Sequence, residues 1–325
     1  MIHPIPPGSH DVLPDEMREL RRLHAALIET FEGHGYGEVA TPTIEYDEVL
    51  ARGDGRSAES AYRFFDERGE MLALRSEMTV PIARLVATRF AEAEPPLRFC
   101  YLARAFRAVR PQRGQMREFT QAGVELIGAP APQGTVEVVE VLEAALDAAG
   151  LDRAVIGLGD SDLYRQLLSE LGVPDRARQS ILERLATHDM VGLEAELTEV
   201  GGIAGEQVET CVALSQLRGG SEVLGRAREL GGDAVERATA RIGETFAALE
   251  ERGVAERVRI DLGLLRDLGY YSGAILEVYD PALGHVLGGG GRYDGLLKRF
   301  GIDLPAAGFA LYVERLHVAQ MEEES

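Results

Sequence analysis

Apolar residues in the first part of the chain follow the period of an α-helix. Between Met17 and Phe31 they recur three or four positions apart, and the run ends at Gly33-His34-Gly35. This spacing predicts an amphipathic helix that begins at Asp15 and buries one face.

Two other stretches alternate as β-hairpins do. In residues 61–75, apolar runs flank the polar segment 67–70, and in Leu97–Gly128 they flank a long Arg-rich loop with a Pro-Gln-x-Gly turn. Apolar runs that are separated by such turns predict antiparallel strand pairs. Strand patterns return at Ala154–Leu158 and in the segment 258–294.

Helical spacing returns after Thr79 and between Val136 and Leu146, and then dominates residues 162–253. That last region is rich in Leu, Ala, Glu and Arg, and glycines interrupt it, which predicts several short helices. It contains no catalytic pattern. We therefore expect a core domain made of residues 1–161 and 254–325, and a helical insert at 162–253.

Charge and cysteine content narrow the function classes. The chain has 325 residues, a formal net charge of −20 and a pI near 4.8. Because affinity for nucleic acid comes largely from cation–phosphate contacts, this charge disfavours a tRNA-binding role. Cys100 and Cys211 form neither a disulfide framework nor a zinc motif, and no leader or membrane span is evident. We expect a cytoplasmic protein without a metal or another cofactor.

The Arg-rich loop suggests an anion site. It carries five arginines, Arg104, Arg107, Arg110, Arg113 and Arg117. Arginine grips carboxylate and phosphate in a planar, bidentate way, so the loop is a candidate anion clamp. The alternative is a solvated hairpin whose charges face water.

The order of residues around this loop resembles motif 2 of the class II aminoacyl-tRNA synthetases, in its histidyl-tRNA synthetase form. The matching residues are Phe106-Arg107, Arg110-Pro111-Gln112-x-Gly114, and Arg117-Glu118-Phe119-x-Gln121-x-Gly123-x-Glu125. Other segments resemble the same family: 36–46 (motif 1), 75–79 (RSEMT, compared with RPExT), 266–271 (RDLGYY, compared with RGLDYY), 285–294 (HVLGGGGRYD) and 306–316 (motif 3). The resemblance implies an α+β class II synthetase core with a mostly antiparallel sheet flanked by helices.

The resemblance also implies a histidine site. Glu77, Thr79 and Gln121 would hold the ammonium group, and Arg266 with Arg107 the carboxylate. Glu125 and Tyr271 would hold the ring nitrogens, and Tyr270 would line the site. Acceptors for a cation and guanidinium groups for an anion suit a free amino acid. For residues 76–79 an alternative is a cap on the helix that follows, since Ser and Thr are ordinary N-caps.

The nucleotide side departs from the family pattern. Val109 stands where the family has an acid in motif 2, and Tyr312 where motif 3 has glycine, whereas Arg315 matches the nucleotide-binding arginine. We expect a degraded nucleotide site, no catalytic residues and no adenylation activity. We also expect no anticodon-binding domain.

These features together resemble the regulatory subunits of ATP phosphoribosyltransferase, synthetase-like partners of the short catalytic subunit that opens histidine biosynthesis. The resemblance implies a non-catalytic protein that binds and supports that subunit and mediates feedback by histidine. Motif 1 implies a homodimer within a larger hetero-oligomer, with neither tRNA nor a membrane as partner. Two alternatives remain: a truncated synthetase-like enzyme that activates histidine with ATP, and a free-standing histidine sensor.

Overall fold

The computed structural model describes residues 5–53, 61–108, 116–266, 269–281, 283 and 286–324. Twelve strands lie in these ranges: β1 (Gly37–Glu38), β2 (Ile44–Tyr46), β3 (Arg63–Phe65), β4 (Met71–Leu74), β5 (Leu97–Phe106), β6 (Glu118–Ile127), β7 (Val155–Asp160), β8 (Arg218–Gly219), β9 (Val258–Asp261), β10 (Ala274–Tyr279), β11 (Val286–Arg292) and β12 (Ala306–Tyr312).

The described ranges also contain eleven α-helices: α1 (Pro14–Gly33), α2 (Asp47–Gly53), α3 (Thr79–Arg89), α4 (Gln133–Ala148), α5 (Leu163–Glu170), α6 (Asp175–Ala186), α7 (Met190–Val200), α8 (Gly205–Ser215), α9 (Glu222–Leu230), α10 (Asp233–Arg252) and α11 (Val313–Glu324). A short 3₁₀ helix spans Leu297–Phe300. No helix in the described ranges has both the length and the hydropathy that crossing a membrane requires.

The strands form two sheets. The larger has nine strands in the order β1-β5-β6-β12-β11-β10-β7-β9-β8. Its neighbours are antiparallel except for the pairs β1–β5 and β7–β9. The smaller sheet has the order β2-β4-β3 and is antiparallel throughout. The prediction of a mostly antiparallel sheet flanked by helices is therefore confirmed.

The first helix follows the predicted apolar face. Leu20, Leu23, Leu27 and Phe31 are buried in α1. The helix begins at Pro14, one residue earlier than predicted, because proline fits the first turn, where its missing N–H is not needed. Helix α1 thus covers one face of the large sheet.

Both predicted hairpins form. The long one pairs β5 with β6 without a bulge, from Leu97 opposite Ile127 to Phe106 opposite Glu118. The short one pairs β3 with β4. Strand β12 then pairs with β6, so the motif 2 and motif 3 strands lie side by side. This arrangement brings their polar side chains to one place.

Residues 163–252 contain six helices, α5 to α10, and the short strand β8, within the described chain. Strand β8 pairs with β9 at the edge of the large sheet. Ile181 and Leu249, from this region, belong to the same hydrophobic cluster as Leu142 and Leu146 of α4. The helices therefore pack directly on the core, and their treatment as a separate insert stays a prediction.

Candidate functional site

A cavity of about 380 Å³ opens on the large sheet. Its walls are parts of β5, β6, β11 and β12, the start of α3, and the residues just before and after the undescribed pair 267–268. Seven of the eight predicted histidine-site residues line it: Glu77, Thr79, Arg107, Gln121, Arg266, Tyr270 and Tyr271. Tyr312 and Arg315 line it too. The fold thus brings together residues from five separate segments of the chain.

Glu77 lines the cavity and caps helix α3; together with Glu125 and Gln121 it forms what we call the acidic end. Its carboxylate accepts hydrogen bonds from the backbone N–H groups of Thr79, at 2.7 Å, and Val80, at 2.9 Å. These donors belong to the first turn of the helix and have no partner within it. Burial raises the pKa of Glu77 above its usual value. The segment 76–79 therefore does cap the helix, but the Glu77 carboxylate is the capping group and not a Ser or Thr hydroxyl.

Glu125 lies directly behind this end and is only 1% exposed. The Thr79 hydroxyl donates to one carboxyl oxygen at 2.7 Å, and the Tyr293 hydroxyl donates to the other. Burial raises the pKa of Glu125 to about 8, although both hydroxyl groups act in the opposite direction. A Cβ atom at Gly308 would collide with this carboxyl group, so the glycine makes room for it.

Gln121 adds an open acceptor to the same end. The residue is buried on β6, and its Oε1 atom has no hydrogen-bond partner among the described residues. Buried polar atoms are nearly always paired with protein, water or ligand. An amide oxygen on the cavity wall therefore suits a donor such as an ammonium group.

Arg266 also lines the cavity. Its Nη1 atom donates to the carbonyl oxygen of Leu276 at 3.4 Å and lies 3.7 Å from the Glu277 carboxylate. Its Nε atom has no partner among the described residues. A side chain at Gly289 would occupy the place of the guanidinium group. The glycine run of β11 therefore lets Arg266 lie flat on the sheet.

Arg107 and Arg315 both contact Tyr312. Arg107 donates to the Tyr312 hydroxyl at 3.3 Å, and the Arg315 guanidinium lies 4.6 Å from the centre of the phenol ring. These charges, Arg107 above all, lower the pKa of Tyr312 to about 8. The ring also packs edge-on against Phe119. Tyr312 is therefore held in place by two arginines and an aromatic ring.

Tyr270 and Tyr271 line the cavity as a pair of contacting rings. Their ring centres lie 5.0 Å apart, and Tyr270 packs against Tyr293 at 5.8 Å. Burial raises the pKa of Tyr271, so its hydroxyl remains a donor at neutral pH. The three tyrosine rings thus form one aromatic cluster in the lining of the cavity.

Sequence reasoning missed several members of the site, among them Tyr293 and Glu277. Tyr293 lines the cavity and donates to Glu125, and Glu277 lines the cavity and lies 3.7 Å from Arg266. Tyr293 stood in the family-like GGRYD segment, so the motif gave a signal for it. For Glu277, the only signal in the sequence was its position in the alternating pattern of a predicted strand. Val109, Arg110, Arg113 and Asp267 lie outside the described residues.

The cavity carries groups of both polarities. Glu77 and Gln121 contribute acceptor oxygens to its lining, and Arg266 contributes a guanidinium group. Such a polarity matches a zwitterion. In the described part of the chain, no three His, Cys, Asp or Glu side chains group as metal ligands would.

Comparisons with known proteins show the family of the chain. The family model for histidyl-tRNA synthetase matches residues 8–316. The ATP phosphoribosyltransferase regulatory subunit of Moorella thermoacetica is 43% identical over 98% of this chain and 82% of its own length. The protein of the same name from Symbiobacterium thermophilum is 42% identical over 98% and 80%.

Solved structures show the same fold. An ATP phosphoribosyltransferase regulatory subunit/histidyl-tRNA synthetase from Bacillus halodurans C superposes with a TM-score of 0.89, at 30% identity over 98% of this chain and 84% of that one. A histidine–tRNA ligase subunit from Alicyclobacillus acidocaldarius superposes with a TM-score of 0.86, at 29% identity over 100% and 99%.

Proposed function

The chain belongs to the histidyl-tRNA synthetase family and, within it, to the ATP phosphoribosyltransferase regulatory subunits, and from this premise we propose what it does. It binds the short catalytic subunit of ATP phosphoribosyltransferase, supports that subunit's activity and carries feedback by histidine. It forms and breaks no bonds itself.

Histidine occupies the central cavity in this proposal. Its ammonium group lies against Glu77, Thr79 and Gln121, and its carboxylate against Arg266, with Arg107 nearby. The imidazole ring lies against Tyr270 and Tyr271, which also contact each other, with Tyr271 as a ring-nitrogen partner. Glu125 does not line the cavity, because Thr79 and Tyr293, which donate to its two oxygens, stand between it and the ligand; it therefore acts on the ring only if one of them moves.

The observation that carries the proposal is the position of Tyr312. The family places a glycine here, beside the nucleotide, whereas this chain places a phenol whose oxygen and ring engage Arg107 and Arg315. Those two cations are therefore occupied by the protein itself. This contact supports a cavity that takes an amino acid but has a poor site for ATP.

Feedback requires that histidine bind two conformations of the assembly unequally, because a ligand with equal affinity for both shifts nothing. A coupling of ~1–3 kcal/mol is enough for appreciable inhibition. Arg266 is a candidate for the moving part, since the carboxylate of Glu277 and the carboxylate of histidine would compete for it.

The proposed assembly is a homodimer that joins the catalytic subunit in a larger cytoplasmic complex. Support for the homodimer comes from the small sheet, where the motif 1 strand β2 leaves Ile44 and Tyr46 about half exposed, at 47% and 49%. Phe64 of β3 is also exposed. Apolar side chains in such a patch favour a protein–protein contact.

The decisive experiment measures phosphoribosyl-ATP formation by the short catalytic subunit with and without this protein, while histidine is titrated. We expect activity to rise on mixing and to fall as histidine is added. A rate of phosphoribosyl-ATP formation that stays the same at every ratio of the two proteins would contradict the regulatory role. The remaining alternative would then be a free-standing histidine sensor, and calorimetry with histidine alone would test it.

The enzyme alternative rests on Arg107, Arg266 and Arg315, all of which line the cavity. It predicts histidine-dependent exchange of pyrophosphate into ATP. We expect none above background. A robust exchange signal would make the protein a histidine-activating enzyme.

A further inference from the structure

A second cavity, of about 220 Å³, lies apart from the first. Its walls are the start of α4, the end of β7, helix α10, and the segments 272–274 and 292–294. No residue described above as part of the histidine site lines it. The ligand of this second cavity is therefore considered independently of the histidine site.

Two deeply buried donors in this cavity lack partners. Arg292 is 2% exposed, and its Nη1 atom has no hydrogen-bond partner within the described ranges; the same holds for Oγ1 of Thr135, in a residue 1% exposed. The other nitrogens of Arg292 bond the Asp294 carboxylate, with the shortest contact at 2.7 Å, and the carbonyl oxygen of Ala129 at 3.1 Å. The guanidinium group is thus held in place at the wall of the cavity, while Nη1 has no partner among the described residues.

The chemistry of these donors calls for an acceptor. Leaving a buried donor unpaired costs about 1–3 kcal/mol, and more when the group is charged. A carboxylate can accept from a guanidinium nitrogen and a hydroxyl at once. The ligand therefore carries a carboxylate or a similar planar group with acceptor oxygens.

The remaining charges exclude a polyanion. Four carboxylates and two guanidinium groups line the cavity. Arg241 holds Asp160 through two contacts of 2.8 Å, and Arg292 holds Asp294. Asp162 and Glu244 are the other two carboxylates. Asp162 accepts from the Gly273 N–H at 3.2 Å and lies 3.9 Å from Arg165, and the charge that remains on the pair favours a positive group. Both this charge and the small volume oppose a nucleotide, whose phosphates would be repelled.

We propose that this second cavity binds a small α-amino acid as a zwitterion. The carboxylate accepts from Arg292 Nη1 and Thr135 Oγ1, and the ammonium group lies toward Asp162 and Glu244. A zwitterion satisfies the open donors and the excess negative charge together.

The second cavity adjoins the first through the backbone. Tyr293 lines the central cavity while Arg292 and Asp294 line the second, and Tyr271 and Ser272 divide in the same way. Neighbouring residues of extended chain point to opposite sides, which accounts for the division. A ligand in one cavity therefore bears on the segments that shape the other, and we expect binding in the two to be coupled.

The test titrates the full chain with glycine, L-serine and L-histidine at millimolar concentration. Calorimetry records the affinity, and the amide chemical shifts of Thr135 and Gly273 report on the second cavity. We expect at least one probe to bind saturably and to shift both amides. Binding at these amides should persist in Glu77→Gln, which weakens the central cavity alone, so that failure of the histidine site and failure of this site are told apart.

Two matched variants test the open hydroxyl. Thr135→Val should weaken binding about tenfold, as expected for one lost hydrogen bond to a charged group. Thr245→Val removes a hydroxyl on the same cavity that already donates to the Arg241 carbonyl oxygen, at 3.0 Å, and should change the affinity less than about twofold. Arg292→Lys, which keeps the charge but removes Nη1, serves as a second variant should Thr135→Val fail to fold.

Three results would overturn the proposal. One is the absence of any shift at Thr135 and Gly273 with all three probes, which would mean that water alone satisfies the donors. Another is shifts confined to central-cavity residues such as Gln121. The last is equal weakening by Thr135→Val and Thr245→Val, since the open hydroxyl would then have no special role.

Discussion

Two adjoining groups of residues at the central cavity treat their charges in opposite ways: the acidic end, and what we call the cationic end, Arg107 and Arg315 around Tyr312. They meet where Arg107 Nε donates to the carbonyl oxygen of Ser76 at 3.2 Å. At the acidic end, Glu77 and Glu125 are stabilised by helix and hydroxyl donors, and Gln121 still offers an open oxygen. At the cationic end, Arg107 and Arg315 are engaged by Tyr312. The acidic end is therefore prepared for a ligand, whereas the cationic end around Tyr312 is closed by the protein's own side chain.

One strand makes this difference. Gly308, Ala310 and Tyr312 alternate on β12 and line the cavity together. At position 308 the absence of a side chain leaves room for Glu125, and at position 312 a phenol fills the space between two arginines. A single strand face thus opens one end of the cavity and closes the other through side-chain size alone.

The largest effect is expected from weakening the acidic end. Glu77→Gln keeps an oxygen for the helix cap but removes the charge that would face an ammonium group. A hydrogen bond between charged groups contributes about 1.5–3 kcal/mol, so histidine affinity should fall about tenfold to a hundredfold. Calorimetry measures this. Glu70→Gln, on an exposed turn, is the control; equal affinity for both variants would remove Glu77 from the site.

Opening the cationic end should have the next largest effect. Tyr312→Gly frees Arg107 and Arg315 for phosphate oxygens, and ATP affinity should rise about tenfold or more, since each bond to a charged group contributes about 1.5–3 kcal/mol. Tyr312→Phe is the matched control, because it keeps the ring over Arg315 and should leave ATP binding weak. Equilibrium dialysis with labelled ATP distinguishes them. ATP binding that is equally weak in both variants would show that Tyr312 does not close the site.

The two ends should also respond to pH with opposite signs. The pKa of Glu125 is raised from 4.5 to about 8, so the folded state keeps a proton that the unfolded chain has lost. The free energy of unfolding should therefore fall as pH rises from 4.5 to about 8. The pKa of Tyr312 is lowered from 10.0 to about 8, so its contribution should rise between pH 8 and 10 and be lost as pH falls through 8.

Urea midpoints across this pH range measure both effects. Glu125→Gln should abolish the fall in the free energy of unfolding at lower pH, and Tyr312→Phe should abolish its rise at higher pH. Each of these changes should amount to at least about 1.4 kcal/mol, the equivalent of one pKa unit. A profile that neither variant alters would assign the pH dependence to other groups.

The smallest effect is expected from Thr79→Val. The variant removes the hydroxyl that donates to Glu125 but keeps the backbone N–H that Glu77 accepts. A typical hydrogen bond contributes about 0.5–1.5 kcal/mol, so histidine affinity should fall only about twofold to tenfold. Thr88→Val, whose hydroxyl bonds within the same helix, should leave affinity unchanged. An equal loss of histidine affinity in both variants would indicate that the substitutions disturb helix α3 as a whole and not the binding site.

The sequence by itself determined the local elements and most members of the central site. The apolar period of α1, the two hairpins and the helical region follow from patterns that arise within a few residues, because a helix or a hairpin buries one face at fixed spacing. The site residues came from family-like motifs, which tie residue type to role. Seven of the eight predicted histidine-site residues line one cavity. A prediction of the strands alone would not have grouped these residues.

The tertiary structure alone decided how these residues use their bonds. That Glu77 caps α3, that Tyr293 bonds Glu125 and that Tyr312 engages two arginines each depends on pairs of segments far apart in the chain. It also decided that Arg292 and Thr135 meet at one cavity with open donors. Hydrogen bonding and burial depend on the distance between side chains, and that distance exists only once the strands have taken their order in the sheet.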